Sequence, residues 1–286
     1  MHILFPTDPI LKKKPDQFFL KEIDAAKLAG FYVGLVSDDG ETNLPIAPGD
    51  VLYRGWILSE NSYAKMADGV NSCGKNLITK PEEYKFCHQF PCWYSRLSSK
   101  NTPKSIWYPG NKFDLDEIVN SLANEFGDKP LIVKDYVKSR CYEWESACYI
   151  PSASSPVDIK RVVNNFLQLQ SCDLEGGLVF REYIPLKCNG KHPKTDLPLP
   201  NEYRFFIYKG KILTQNIRWD SRDYSKATKP PQQLVENIIP YVFSTFFAVD
   251  VAETIDGSWI IIELNDGGTA SIIGSPEEFY NSLASI

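Results

Sequence analysis

Two apolar runs near the C-terminus carry acidic residues where oil would be expected. FFAVD ends on Asp250, and WIIIELN closes on Glu263 and Asn265. Segments this rich in β-branched and aromatic residues read as strands, and a carboxylate inside such a strand is costly unless something holds it. Only a sheet with one face turned to a polar site satisfies both demands. Residues two apart on a strand share a face, so Glu263 and Asn265 project together. Asp-Gly at 256–257 supplies a hairpin turn that would let Asp250 sit across from them. Two carboxylates and an amide oxygen suit a hard cation such as Mg²⁺. Strand-end acids paired with Arg or Lys are the other reading.

The rest of the chain permits such a site and excludes several alternatives. At 286 residues, 43% apolar and 23% charged, it has the make-up of a globular protein. No apolar run reaches the roughly 20 residues of a membrane helix. The N-terminal MHILFPTDPILKKKP lacks a long apolar stretch and a small-residue cleavage site, which predicts no signal peptide and a cytoplasmic protein. Seven irregularly spaced cysteines fit reduced thiols. Cys87, His88 and Cys92 form the one metal-like cluster, without a second Cys or His pair to complete four ligands. A net charge of −5 disfavours a broad nucleic-acid surface, though not a local basic groove.

Strands alternate with helices in the first hundred residues, suggesting a small α/β unit. Phe31–Val36 and Asp50–Leu58 read as strands, Ser59 or Asn61 caps a helix, Asn76–Ile78 is a short strand, and Pro81 opens another helix. Ser98–Gly110 reads as a boundary loop. Helices follow over Asp114–Phe126 and Asp158–Leu169, with the strand Leu131–Val133 between them. From Gly177 the pattern turns β-rich, with strands at Leu178–Ile184, Tyr203–Tyr208, Lys211–Arg218 and Ser258–Leu264. A hairpin is expected at Lys209-Gly210, and a helix over Leu234–Phe247, kinked at Pro240.

Two more segments carry charge in apolar company. In LIVKDYVKSR a strand delivers Lys134 and a tight loop returns Lys138, Ser139 and Arg140, cations that could reach a phosphate or form a solvated turn. No Gly lies there, so a P-loop cradle is not supported. In GGLVFREYIPL and NEYRFFIYKGK, Arg181 and Arg204 sit among strand residues and should meet carboxylates or phosphates; pairing with Glu182 or Glu202 is the alternative. Glu182–Ile184 could offer backbone groups to a base edge.

Taken in order, VKDYVKSR, GGLVFREYIPL, NEYRFFIYKGKIL and DVAE…IIIELNDG resemble the nucleotide and metal motifs of the ATP-grasp superfamily. More narrowly, with YRGWIL, ITKPEEY, FPCWYSRL and TPKSIW, the chain resembles the two-arginine-one-lysine clade over nearly its whole length. That resemblance implies an α+β / α/β architecture: a pre-ATP-grasp α/β domain over 1–100, then an ATP-grasp domain over 101–286. Two α+β subdomains, about 101–178 and 179–286, would clasp the nucleotide. It implies ATP and Mg²⁺ as cofactors and Asp250, Glu263 and Asn265 as the metal set. Lys134 and Lys138 would contact phosphates, and Glu182, Tyr183 and Ile184 would form the hinge over which adenine lies. Arg204 would face the γ-phosphate or acyl phosphate, Arg181 would play a related part, and Arg54 would hold an anionic substrate. Arg204, Arg181 and Lys138 would then be the catalytic residues. The implied activity is a carboxylate–amine ligase acting through an acyl phosphate on a peptide, protein or small amino acid, with an acceptor and an oligomeric state the sequence does not name. ATP-dependent chemistry on a nucleic acid, or a non-catalytic nucleotide-binding module, are the other readings; the first is not favoured by the acidic charge.

Overall fold

The computed structural model describes residues 1–191, 198–218 and 227–286. The first sheet is mainly parallel. Strands β1 (His2–Pro6), β2 (Tyr32–Val36), β3 (Thr42–Asn43) and β4 (Val51–Tyr53) lie in the order β3-β2-β1-β4, and only β3 runs antiparallel to its neighbour. Helix α1 (Leu20–Leu28) crosses from β1 to β2. Helix α2 (Glu60–Ser72) starts where Ser59 accepts a hydrogen bond from the Ser62 amide at 3.1 Å, satisfying a helix-end donor. The strand expected over Asp50–Leu58 stops at Tyr53, because Arg54 turns inward and Gly55 bonds to the Gly268 carbonyl instead. At Asn76–Ile78 the expected strand is a single parallel bridge, Leu77 to Val51.

Helices α3 (Pro81–His88) and α4 (Phe90–Leu97) follow, joined at a sharp corner. Most of their apolar residues pack on the C-terminal sheet, where Phe86, Phe90, Trp93 and Leu97 share a core with Phe205, Ile207, Val249 and Leu264. Tyr84 instead joins the core of the first sheet with Leu4, Val51 and Tyr53.

A second sheet is antiparallel, in the order β5-β8-β6-β7: β5 (Ser105–Pro109), β6 (Leu131–Asp135), β7 (Tyr149–Ile150) and β8 (Gly177–Glu182). Helices α5 (Leu115–Phe126) and α6 (Pro156–Gln170) cover one face and fill a core with Ile118, Leu122, Val162, Phe166 and Phe180. Strand β5 falls inside the segment expected to be a loop. It is an edge strand, where Pro109 is tolerated because no inner ladder needs its missing N–H.

The hairpin β9 (Cys188–Lys191) and β10 (Pro198–Pro200) leads to the third sheet. This comprises β11 (Glu202–Tyr208), β12 (Lys211–Ile217), β13 (Phe246–Glu253) and β14 (Trp259–Asp266), in the order β12-β11-β13-β14, all antiparallel. The β11–β12 hairpin turns on Lys209 and Gly210, both with positive φ (49° and 75°), the geometry that lets a two-residue turn follow the strand twist. The helix expected over Leu234–Phe247 is not formed as one element. Helix α7 (Gln232–Glu236) ends early, a 3₁₀ turn spans Ile239–Tyr241, and Phe246 already opens β13. Pro240 cannot continue an α-helical ladder, and burying Phe246 and Phe247 opposite Tyr208 and Ile207 favours the strand. Helix α8 (Pro276–Ala284) closes the chain and packs with α1. Among the described residues no helix is long and apolar enough to cross a membrane.

Candidate active site

The alternation of β11 and β13 divides the third sheet into two faces. Phe205, Ile207, Val249 and Val251 point to α3 and α4. On the opposite face, Phe206, Phe246 and Ala248 pack on the first sheet at one end, leaving a polar row at the other. The register sets that row: Asn216 lies opposite Arg204, Arg204 opposite Asp250, and Asp250 opposite Glu263. Asn265, two residues beyond Glu263, shares its face opposite Ala248. The three oxygen-bearing residues picked out in the sequence therefore project from one side of adjacent strands.

Each carboxylate in the row meets a cation. Asp250 is 1% exposed and takes a two-pronged contact from Arg204, Nε to Oδ1 and Nη2 to Oδ2, both at 2.7 Å. Arg218 adds a third bond to Oδ2 at 2.8 Å while its Nε faces Glu202 at 3.1 Å. Burial pulls the Arg204 guanidinium down, but the Asp250 charge and hydrogen bonds outweigh it and hold it above its usual range. Glu263 receives Lys134 Nζ at 2.7 Å, a contact between β14 and β6 of the second sheet. Burial pushes the Glu263 carboxyl up; the charge and hydrogen bond of Lys134, with Arg218 and Arg204 behind, leave it below the ordinary value. Buried pairs of this kind contribute little net stability but are costly to break from one side.

The remaining expected residues are distributed unevenly around this row. Arg181, on β8, meets no carboxylate among the described residues. Its Nη1 donates to the Ile262 carbonyl and its Nη2 to the Ile261 carbonyl at 2.8 Å, and burial lowers its pKa to about 10. A bulge between Asp250 and Val251 makes this possible: the register jumps from Glu263 to Ile261, turning those carbonyls towards the second sheet. Main-chain oxygens thus engage its two terminal nitrogens, while its buried Nε has no partner among the described residues. Arg54 lies elsewhere. It is 1% exposed, and its guanidinium is held by Glu22 at 3.1–3.2 Å and by the carbonyls of Gly267 and Ala270 at 2.5 and 2.8 Å. It joins the first sheet to the loop after β14, and the structure does not bring it into the row.

Lys138 is exposed, in a turn shaped by Asp135, whose Oδ1 accepts from the amides of Val137 (2.7 Å) and Lys138. Its neighbour Arg140 is tied to Gln170 and the Leu169 carbonyl, both at 2.6 Å, Lys160 to Asp116 and Arg161 to Asp158. These four side chains therefore form no open basic strip. At the end of β8, Glu182 pairs with Lys129 at 2.7 Å, and Tyr183 sits edge-on to Trp144 and Tyr149 at 5.6 and 5.3 Å. Ile184 is half-buried beside them.

Arg218 is the residue that sequence reasoning passed over, although its place in the row was available: two residues past Asn216, it shares that residue's face. The aromatic trio of Trp144, Tyr149 and Tyr183 was also passed over.

Two carboxylates and one amide share a face, and their hard oxygens are of the kind that suits a divalent metal such as Mg²⁺. Here the carboxylates are paired with Arg204, Arg218 and Lys134, and the buried Asn265 Nδ2 has no partner among the described residues.

Solved structures with this architecture define the class. The chain resembles an ATP-grasp RimK domain protein from Sphaerobacter thermophilus DSM 20745, at TM-score 0.63 and 16% identity, over 99% of this chain and 98% of that one. It is likewise similar to the D-cycloserine synthetase DcsG (TM-score 0.61, 13% identity, 100% and 99% covered). A third match is the ATP-grasp ligase PsnB, complexed with a phosphomimetic variant of its minimal precursor, Mg and ADP (TM-score 0.55, 12% identity, 99% and 97% covered). At such identities the likeness is one of fold, and the fold is ATP-grasp. No curated protein matches the chain by sequence. A sequence profile of the ATP-grasp domain, family 3 of the two-arginine-one-lysine clade, matches residues 125–283, more than half the chain, and the protein belongs to that family.

Proposed function

We propose that this protein is an ATP- and Mg²⁺-dependent ligase of the carboxylate–amine type, acting through an acyl phosphate on a peptide, a protein or a small amino-acid-like substrate. One observation carries the reading: Asp250 and Glu263 lie directly opposite on one face of the third sheet, and Lys134 reaches Glu263 from the second sheet at 2.7 Å. Groups suited to phosphate oxygens and groups suited to a hard cation therefore meet at a single seam. The DcsG synthetase and the PsnB ligase with Mg and ADP lend support by their fold.

In this reading residues 1–100 are the pre-ATP-grasp domain, and 101–178 and 179–286 are the halves that clasp the nucleotide. Adenine lies against the strand end Glu182–Ile184, covered by Tyr183. Lys134 and Lys138 hold the phosphate tail. Asp250, Glu263 and Asn265 hold Mg²⁺, which when bound neutralises charge developing on the transferred phosphoryl group. Arg204, beside Asp250, stabilises that charge, and Arg181 positions the Ile261–Ile262 bulge that carries Glu263. The substrate carboxylate oxygen takes the γ-phosphoryl group and ADP leaves. An amine lone pair then attacks the acyl carbon, and inorganic phosphate departs.

The test is incubation with ATP, Mg²⁺ and a panel of carboxylates and amines, with the nucleotide product identified. ADP, formed only when a carboxylate is present, is the expected outcome. AMP would overturn the acyl-phosphate route in favour of nucleotidyl transfer.

A further inference from the structure

His88 ends α3 at the corner with α4, beside the elements that carry Lys134. It is 8% exposed and stacks on Tyr84 with ring centroids 4.9 Å apart, which fixes the direction of its ring. Tyr84 in turn stacks on Tyr63 at 3.9 Å. The Nε2 atom is buried and has no hydrogen-bond partner among the described residues. A carboxylate oxygen of Glu175 lies 3.8 Å from it, too far for a direct bond and close enough for a third polar group to join the two. Glu175 stands in the turn before β8, where its amide bonds to Asp135 at 3.4 Å and its carbonyl accepts from Tyr136 at 3.2 Å.

The charge around this gap is acidic. Asp135 and Glu60 act on Glu175 through their charge, and among the described residues Glu175 forms no ion pair with a lysine or arginine; Lys138 acts on it only from a distance, and Lys85 is paired with Glu60 at 2.9 Å. Burial, with Asp135 next, raises the Glu175 pKa, and burial lowers that of His88 to about 4, so the imidazole adds no positive charge near neutrality. Lys138 acts on both groups through its charge, but among the described residues no donor bonds to His88 Nε2, which leaves the gap beside the Glu175 carboxylate suited to an N–H group. His88 also feels the charges of Lys134 and Glu263, which places the corner on the flank of the seam.

We propose that His88 Nε2 and the Glu175 carboxylate form the subsite for the acceptor amine, receiving N–H groups of a primary amine or its ammonium form. The assignment rests on the ligase reading for its role, but the binding can be tested without turnover. Methylammonium chloride is titrated into the full-length protein carrying ¹⁵N-labelled histidine, and the His88 ring nitrogens are followed by NMR; the chain has three histidines, so assignment by His88→Asn is direct. A saturable shift at His88 Nε2 is expected, weakened about tenfold or more in Glu175→Gln, as loss of a charged hydrogen-bond acceptor would produce. Tetramethylammonium chloride, which has no N–H, should leave the resonance unmoved. No shift with methylammonium, an equal shift with tetramethylammonium, or unchanged affinity in a folded Glu175→Gln would overturn the subsite. If Glu175→Gln does not fold, Glu175→Asp serves, with a smaller loss expected and unchanged affinity again overturning the proposal. Binding without any amine-dependent product would count against the ligase reading alone, whereas amide formation without a His88 shift would sink the subsite alone.

Discussion

Arg54 and Arg204 are both buried, yet they belong to different kinds of construction. Arg54 is locked among Glu22, Gly267 and Ala270, with the rings of Phe206 and Phe279 at 5.8 and 5.5 Å, and every contact it makes is internal. Arg204 sits on the same sheet face, one position across from Asp250, in a row that runs on to Glu263 and Lys134. The first arrangement ties the first sheet to the loop after β14. The second pairs groups that phosphate and metal could each claim. Each arginine meets both a carboxylate and main chain, since Arg204 also donates to the Ser271 carbonyl at 3.2 Å, so partner type does not separate them. What differs is that the Arg204 carboxylate stands in a row with further polar groups, whereas Glu22 stands apart from it.

The sharpest separation is expected from the row. Asp250→Asn removes the charge and replaces one of the two oxygens, which between them accept three arginine bonds, by an amide NH₂ that can neither accept those bonds nor bind a metal. Mg²⁺-dependent ADP release should fall about 10³-fold or more, about 4 kcal/mol in transition-state stabilisation, with the circular dichroism spectrum retained. Glu263→Gln should act in the same direction. Wild-type ADP release in either variant would break the contrast, because the row would then be scaffold too.

Arg54→Met tests the other half. It leaves Glu22 and two carbonyls without their donor, so denaturant unfolding should show a loss of about 3 kcal/mol, the scale for one-sided removal from a buried pair. Nucleotide affinity of the folded fraction, measured by calorimetry, should be unchanged. A selective loss of substrate or nucleotide affinity at normal stability would instead restore Arg54 to the cleft.

How far this contrast was legible beforehand varies with the residue. The strands around Asp250 and Glu263 could be read because their apolar runs and the Asp-Gly turn are local signals; spacing alone puts Glu263 and Asn265 on one face, while the place of Asp250 depends on strand pairing. Lys134 was found at a strand end from local signals too, and the cap at Ser59 was equally local. What sequence could not separate was the direction of a buried guanidinium: Arg54 lies in YRGW and turns away only because Gly55 and the loop at Gly268 bring carbonyls to it. The main-chain partners of Arg181 were not legible, because a bulge, which no local pattern announces, presents the carbonyls of Ile261 and Ile262. Strand β5 hid behind its prolines, and β13 began earlier than expected because long-range pairing outweighed the helical spacing of the segment before it.

Lys134→Met gives a smaller effect that sharpens the comparison. Lys134 is the bond between sheets at the seam, and its replacement frees Glu263. Calorimetry should show ATP binding weakened about tenfold, about 1.4 kcal/mol, while Mg²⁺ alone binds more tightly because the carboxylate no longer has an internal cation. Unchanged ATP affinity would remove Lys134 from the phosphate site.

The smallest effect is expected at the margin of the scaffold. Tyr280 donates its hydroxyl to Glu22 Oε2 at 3.1 Å, supporting the carboxylate that holds Arg54. Its ring is buried against Phe31 and Phe279, so Tyr280→Phe preserves packing and deletes one bond. Glu22 keeps its contacts with Arg54, so unfolding should cost only about 1 kcal/mol less than in the parent. Catalytic and binding constants should stay at parental values, since nothing in the row touches this bond. A drop in ADP release as large as that of Asp250→Asn would show that strain in the scaffold travels to the row, and the two regions would have to be treated as one.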